Sequence, residues 1–305
     1  MQISIIGNCQ AEPLSDLFVQ RQDIESVNTF IVHLSDDSSR EKDLNIIRQS
    51  DFIISQKTHV DFIPQHLNSG WLKKNFGPKV IIWPNIFYAG QQPYIRYITS
   101  KLGRLKGPLD DYHDLRILKE WLLKKHDVKE SCLTLALDSE EVQNHSMNNL
   151  ISRERGCDIF ISDIIEHNQD KKLFFSFNHP TSFLLKCMYE RIEDKLNLNH
   201  QDFDFKKDEP LSTFIMPSSW NEMQSKFKEF RGFNLNESTK KESKYVDYDA
   251  LGLREAFFSI YDKNLLNDLD FFTMRLTPRM DADDLFKSQL KKVFESLEIS
   301  KTKYL

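Results

Sequence analysis

The sequence predicts an α/β fold, a mainly parallel sheet flanked by helices, with a helical C-terminal extension. Three observations predict it. Short apolar runs rich in β-branched residues alternate with helix-spaced segments through the first two-thirds of the chain, the pattern of a parallel sheet covered by helices. Polar residues follow each apolar run, as they do where strand ends face a ligand. Beyond Asn199 the chain turns polar and charged before a last apolar stripe at helical spacing.

The elements follow in order. The first strand, Ile3–Ile6, runs into Gly7-Asn8-Cys9-Gln10, and a helix-like segment begins near Ala11, with helical spacing over Leu14–Gln20. Further strands are read at Val27–His33, Asp51–Ser55, Lys79–Trp83 and Leu173–Phe177, and further helices at Arg40–Gln49, Leu115–Lys125 and Leu184–Leu196. The stretch from about Tyr94 to His167 reads as largely helical, an insertion covering one edge of the site. Leu285, Phe286, Leu290, Val293, Phe294 and Leu297 mark a final helix, with Asp281 or Asp283 as its cap. The division expected is an α/β domain over 1–199 and a mainly helical subdomain over 200–305.

Composition excludes several classes of function. With 41 basic and 46 acidic residues the chain is mildly acidic, which argues against an extended nucleic-acid surface. The four cysteines, Cys9, Cys132, Cys157 and Cys187, are scattered and form no C-x-x-C pair, so neither a disulfide framework nor a cysteine zinc site is expected. No secretory signal and no membrane-length apolar run is visible; the expected location is cytoplasmic. Asp110-Asp111-Tyr112-His113-Asp114 reads as the start of the helix near Leu115 rather than a metal site. Asp281-Ala282-Asp283-Asp284 lacks the glycine and terminal Glu of a calcium loop. No metal is expected.

The chemistry lies at strand ends. In an open parallel sheet all carboxyl ends share one edge, so Cys9, Gln56, Asn85 and His179 are expected in one crevice. Gly7 would permit a tight turn beside Cys9, and helix N–H groups nearby would favour a thiolate. Pro180 pushes His179 toward an extended backbone and suits the first position of the following helix. Alone, Cys9 reads as a small buried hydrophobe and His179 as a capping or core histidine. Together they supply a nucleophile and its base, or a base acting on a substrate hydroxyl. Asn8, Asn85 and backbone N–H groups near Cys9 are candidates to stabilise an oxyanion. Gly7, Gln10, Gln56 and Asn178 complete the oxyanion and substrate-binding set.

At these residues the chain resembles the WcbI-like family of capsular polysaccharide biosynthesis proteins. The matching features are Gly7-Asn8-Cys9-Gln10, Asp51 with Gln56, and Pro84-Asn85 with Tyr88, Gly90 and Pro93. Further on come Arg153-Glu154, Cys157-Asp158, Ser162-Asp163, Leu173-Phe174 and Asn178-His179-Pro180-Thr181. The match covers roughly the first 195 residues.

The resemblance implies a fold related to the SGNH (GDSL-like) hydrolases, coenzyme A or acetyl-CoA as cofactor, and O-acetyl transfer to a sugar or polysaccharide precursor. It puts Cys9 in the place of the hydrolase serine and His179 as base. Two departures stand out: Ser176 occupies the position of the hydrolase aspartate, three residues before the histidine, and the family's Gly-Tyr-His-Pro is Gly90-Gln91-Gln92-Pro93 here. The cofactor's phosphates call for cations, for which Lys57, Arg96, Arg153 and Arg155 are candidates, with Tyr88 and Gly90 beside them. Two other functions fit the same residues: an esterase of the same architecture, and a non-catalytic coenzyme A or nucleotide-binding subunit of an assembly complex.

Overall fold

Four parallel strands organise the first part of the chain in the computed structural model: β1 (Gln2–Gly7), β2 (Ser26–Ile31), β3 (Phe52–Gln56) and β4 (Val80–Trp83), in spatial order β2-β1-β3-β4. Ile3 pairs with Val27 on one side and Phe52 on the other, and Ile54 pairs with Ile81. The structure describes residues 1–100, 103–108, 111–126, 129, 139–212, 231–233, 245–247, 250–264, 275–277, 284, 286–289 and 292.

Strand alternation assigns side chains to two faces. Ile3, Ile5, Ile54, Ile81 and Trp83 face one core, covered by α1 (Ala11–Phe18) and by elements from after residue 145. Ile6, Ile53, Val80 and Ile82 face the other, covered by α2 (Arg40–Gln49) and α3 (Ser69–Phe76). β1, β3 and β4 are legible because most of their residues are buried and each reads as an apolar run, whereas the edge strand β2, with Asn28 and Thr29, is only partly buried. Helix α3 went unpredicted: its Lys73-Lys74-Asn75 stretch blurs the apolar stripe, while Asn68 marks its start by accepting from Trp71 N at 3.0 Å.

The chain divides into two compact units, Met1–Tyr88 with Ser146–Ser212, and Ala89–His145 with Thr213–Leu305. These boundaries fall differently from the division expected at residue 199. The stretch from Tyr94, read as helical, opens instead with β5 (Ile95–Ser100), β6 (Gly103–Arg104) and β7 (Tyr112–Asp114). The alternation of Ile95, Tyr97 and Thr99 with Arg96 and Ile98 is a strand signal that the helical reading overlooked. Helices α4 (Leu115–His126), α5 (Ser139–Glu154) and α6 (Ser162–His167) follow. Asp114 holds Arg116 through N–H···O contacts of 2.9 and 3.2 Å, and Asp111 pairs with Arg104 and Lys106.

The run Leu173–Phe177 was expected as a fifth parallel strand. It forms a short hairpin instead: β8 (Phe174–Ser176) pairs antiparallel with β9 (His179–Pro180). Pro180 therefore sits in a strand pair rather than opening the helix. Thr181 N donates to Leu173 O at 2.9 Å, and α7 (Ser182–Leu196) starts one residue later. Past residue 212 the described elements are β10 (Arg231–Phe233), β11 (Tyr245–Asp247), α8 (Ala250–Asn264) and β12 (Arg275–Thr277), so strands as well as a helix are present there. Strand β12 pairs with β5, Leu276 opposite Ile98. Of the predicted final stripe Phe286 is buried; Leu285, Leu290, Val293, Phe294, Leu297 and both candidate caps lie outside the described residues, as does Cys132.

Candidate functional site

In the order β2-β1-β3-β4 the chain leaves β1 toward one side of the sheet and β3 toward the other. Their carboxyl ends part, and such a point is where open α/β sheets leave a crevice. Asn8-Cys9-Gln10 follow β1 and Gln56-Lys57 end and follow β3, so the sequence puts its polar residues at this switch point.

Gly7 is required there by contact rather than by turn geometry. Its φ is not positive, and a Cβ would lie 3.0 Å from Trp83 Cζ2, 3.2 Å from Ala11 Cβ and 3.3 Å from Gln56 Cβ. The next three residues bend into α1: Gln10 N donates to Asn8 Oδ1 at 3.0 Å and Ala11 N to Asn8 O at 2.9 Å.

The buried Gln10 amide joins the distant motifs. Its Nε2 donates to Ile86 O at 2.7 Å and to Asn178 O at 2.9 Å, while its Oε1 accepts from Ile86 N at 3.2 Å and Gln56 Nε2 at 3.0 Å. Gln56 Oε1 then accepts from Asn8 N at 3.0 Å, and Asn8 Nδ2 donates to Asn85 Oδ1 at 3.3 Å. The backbone of Ile86 has one donor and one acceptor, which fixes which way the Gln10 amide points. Every expected polar residue from the four strand ends, Asn8, Gln10, Gln56, Asn85 and Asn178, belongs to this network. Gln10 and Gln56 are buried in it, however, and their amide groups serve as ties between segments rather than as open substrate contacts.

Cys9 and His179 flank the network, each one residue from a bonded partner: Gln10 adjoins Cys9, Asn178 adjoins His179, and Gln10 Nε2 bonds to Asn178 O. Tyr88 N donates to Phe177 O at 2.7 Å and holds the same turn from the other side. The thiolate expected from nearby helix N–H groups is corrected by burial. Desolvation raises the Cys9 pKa to about 11, outweighing its backbone hydrogen bond, and Glu12 adds to the rise. Cys9 is a thiol at neutral pH. Burial also lowers His179 to about 4, so its imidazole is neutral and able to accept a proton. Ser176, in the position of the hydrolase aspartate, is buried and donates its hydroxyl to Asn178 Oδ1 at 3.1 Å.

The expected cofactor residues divide. Lys57 Nζ donates to Arg153 O at 2.9 Å and also to Arg155 O. Arg153 Nη2 donates to Phe87 O, and its guanidinium lies 5.3 Å from the centre of the Phe87 ring. Desolvation lowers the Arg153 pKa to about 10, which leaves it charged. Its buried Nε has no hydrogen-bond partner and the side chain pairs with no carboxylate among the described residues. Arg155 is exposed. The Lys57 ammonium at the end of β3 lies against the backbone of the Arg153–Arg155 segment. Tyr88 does not serve as an open contact: it is fully buried, with its hydroxyl donating to Gln169 Oε1 at 3.0 Å. Gly90 and Arg96 belong to the second unit, where Arg96 is buried and donates to Pro93 O at 2.7 Å and Ile95 O at 2.8 Å. Sequence reasoning missed Phe87 beneath Arg153 and Ile86 within the amide network. Their signal was position: both follow Pro84-Asn85 at a buried strand end.

The fold is that of an α/β domain with a four-stranded parallel sheet, and a buried amide network lies at its switch point with Cys9 and His179 each next to one of its members. The family model described as "Polysaccharide biosynthesis enzyme WcbI" matches residues 2–201, and the chain belongs to that family. A solved structure described as WcbI, a novel polysaccharide biosynthesis enzyme, in native form without a disulfide bond between coenzyme A and one of its cysteines, shares the fold. It matches with a TM-score of 0.60 at 18% identity, over 96% of this chain and 99% of that one. No curated protein matches the chain. Among the described residues no helix is long and apolar enough to cross a membrane.

Proposed function

We propose that this chain is a cytoplasmic, coenzyme A-dependent O-acyltransferase, transferring an acyl (acetyl) group to a sugar hydroxyl in the making of a capsular or exopolysaccharide. One observation carries the reading: the Gln10 Nε2 to Asn178 O hydrogen bond of 2.9 Å, which ties the Cys9 loop to the His179 turn across the sheet edge. Family membership supports polysaccharide biosynthesis, and the solved relative's description names coenzyme A for that protein. The parallel sheet with its polar switch point is in keeping with an SGNH-like relation, in which Cys9 takes the place of the hydrolase serine.

The residues fit a phosphorylated thiol cofactor. Arg153 is a half-buried cation with a buried, unengaged Nε and no carboxylate partner among the described residues, the condition in which a phosphate would be bound by charge-assisted hydrogen bonds. Lys57, whose ammonium lies against the backbone of the same segment, adds positive charge nearby. Bound acyl-CoA would supply a thioester carbonyl from which the acyl group passes to the acceptor oxygen. His179, neutral at physiological pH, takes the proton from the attacking hydroxyl and returns it to the departing sulfur. The Asn8 and Asn85 amides are the side chains offered to the developing oxyanion. Cys9 either accepts the acyl group, with His179 as its base, or packs against the cofactor's sulfur while the sugar attacks directly.

Calorimetric titration with coenzyme A tests the reading. The wild type should bind, and Arg153→Ala should weaken binding by about 10–100-fold, the loss of one charge-assisted contact and its desolvated charge. Absence of binding together with hydrolysis of a generic ester would replace this reading with the esterase. Binding without acyl transfer, unaltered biologically by His179→Ala, would favour the non-catalytic subunit.

A further inference from the structure

A cavity of about 560 Å³ opens along β2, and no role has been given to it. Its walls are the edge strand from Asn28 to Ile31, the loop around Ser35 and Asp36, and the start of α2 at Lys42 and Asp43. That volume lies within the ~300–1,000 Å³ of small-molecule sites. Phe30 lies in the core behind the cavity, and Leu34, 78% exposed, supplies an apolar side chain at its edge.

The acceptors in the cavity are held in place. Asp43 Oδ2 takes hydrogen bonds from Ser39 Oγ at 2.6 Å and faces His66 Nε2 at 3.0 Å. Asp36 Oδ1 accepts from Ser38 N at 2.8 Å and from the Ser38 hydroxyl. The donors are unengaged: among the described residues the Asn28 amide and the Lys42 ammonium have no hydrogen-bond or ion-pair partner. Strand β2 is also the outer strand of its sheet, so among the described residues its outward row of backbone groups has no strand partner. Two oriented carboxylates disfavour an anionic ligand. Fixed acceptors, free donors and the exposed apolar side chain of Leu34 together match a ring whose rim bears hydroxyls and whose face bears C–H groups.

We propose that this cavity binds a sugar unit of the acyl acceptor. The inference rests on the acyltransferase reading for its place in catalysis, and the sheet supplies the connection. Ile31 on the cavity wall is in register with Gly7, and Val32 N donates to Gly7 O at 2.9 Å. The cavity strand thus lies one strand spacing, about 4.8 Å, from β1, which ends at Gly7, two residues before Cys9.

Saturation-transfer NMR on the full chain decides the matter, with the methyl glycosides of glucose, galactose, mannose and N-acetylglucosamine as probes. At least one should give a transfer signal. Asn28→Leu and Lys42→Met, which remove the unengaged donors without touching the core, should each weaken its binding by about tenfold, the effect of one or two lost hydrogen bonds. Coenzyme A affinity, measured on the same samples, should stay as in the wild type. No signal from any of the four glycosides, or a signal unchanged in both variants, overturns the cavity assignment. Because sugar binding is read without turnover, a wild type that fails to bind coenzyme A removes the acyltransferase reading and leaves this result to be judged on its own.

Discussion

At the residue scale the sulfur of Cys9 is the instructive case. Two effects compete on it: local N–H groups favour the thiolate and removal from water disfavours it. Removal from water wins, and the pKa rises to about 11. A thiol in this state reacts slowly by itself at neutral pH, because the thiolate is the nucleophile. The His179 imidazole, lowered to about 4 by burial, is also uncharged at neutral pH, so neither group rests as an ion. Alkylation of the free protein by iodoacetamide, followed by mass spectrometry at Cys9, should therefore climb steadily from pH 7 toward pH 11. A plateau reached below about pH 8, the behaviour of an activated thiolate, would show that the local N–H groups prevail after all.

At the element scale the site is a set of loops held by one amide. Gln10 carries four hydrogen bonds to Gln56, Ile86 and Asn178, so it joins the ends of β1, β3 and β4 to the β8–β9 turn. Gln10→Ala should lower unfolding stability by about 2–4 kcal/mol, since the truncated side chain leaves buried donors and acceptors without partners. Gln10→Glu should not restore it, because a carboxylate accepts but cannot donate to the carbonyls of Ile86 and Asn178. Urea titration measures the loss, and hydrogen exchange at Asn178 and His179 locates it. A loss below about 0.5 kcal/mol, the level of an ordinary surface change, would mean that the turn is held by β8–β9 pairing instead. The sequence brought these residues to one edge through parallel topology alone. It did not reveal that Leu173–Phe177 forms a hairpin rather than a sheet strand, because apolar runs look alike in both. Nor did it separate residues that tie the loops, such as Gln10 and Tyr88, from residues left to meet a ligand, such as Arg153. That distinction depends on which polar atoms find partners, which is settled by packing.

At the scale of the whole molecule the sheet's two faces differ in how far along the chain their covers lie. The face carrying Ile6 and Ile53 is covered by α2 and α3, both within the first 88 residues. The face carrying Ile3, Ile5 and Trp83 relies on Leu150, Ile159, Ile165, Phe174, Leu184, Met188 and Ile192, all from after residue 145. Burial of such side chains contributes about 1.5–3 kcal/mol each, in sum as much as the whole net stability of a typical domain, about 5–15 kcal/mol. Residues 1–88 expressed alone should therefore fail to fold, despite containing every strand of the parallel sheet. Supplying residues 146–212 in trans should recover helical circular dichroism and a cooperative melt, since that piece brings α6, α7 and the second half of the core. A cooperative melt from residues 1–88 alone would show that α1 by itself suffices to cover the face. The first unit would then be an arrangement of two independent layers rather than one core.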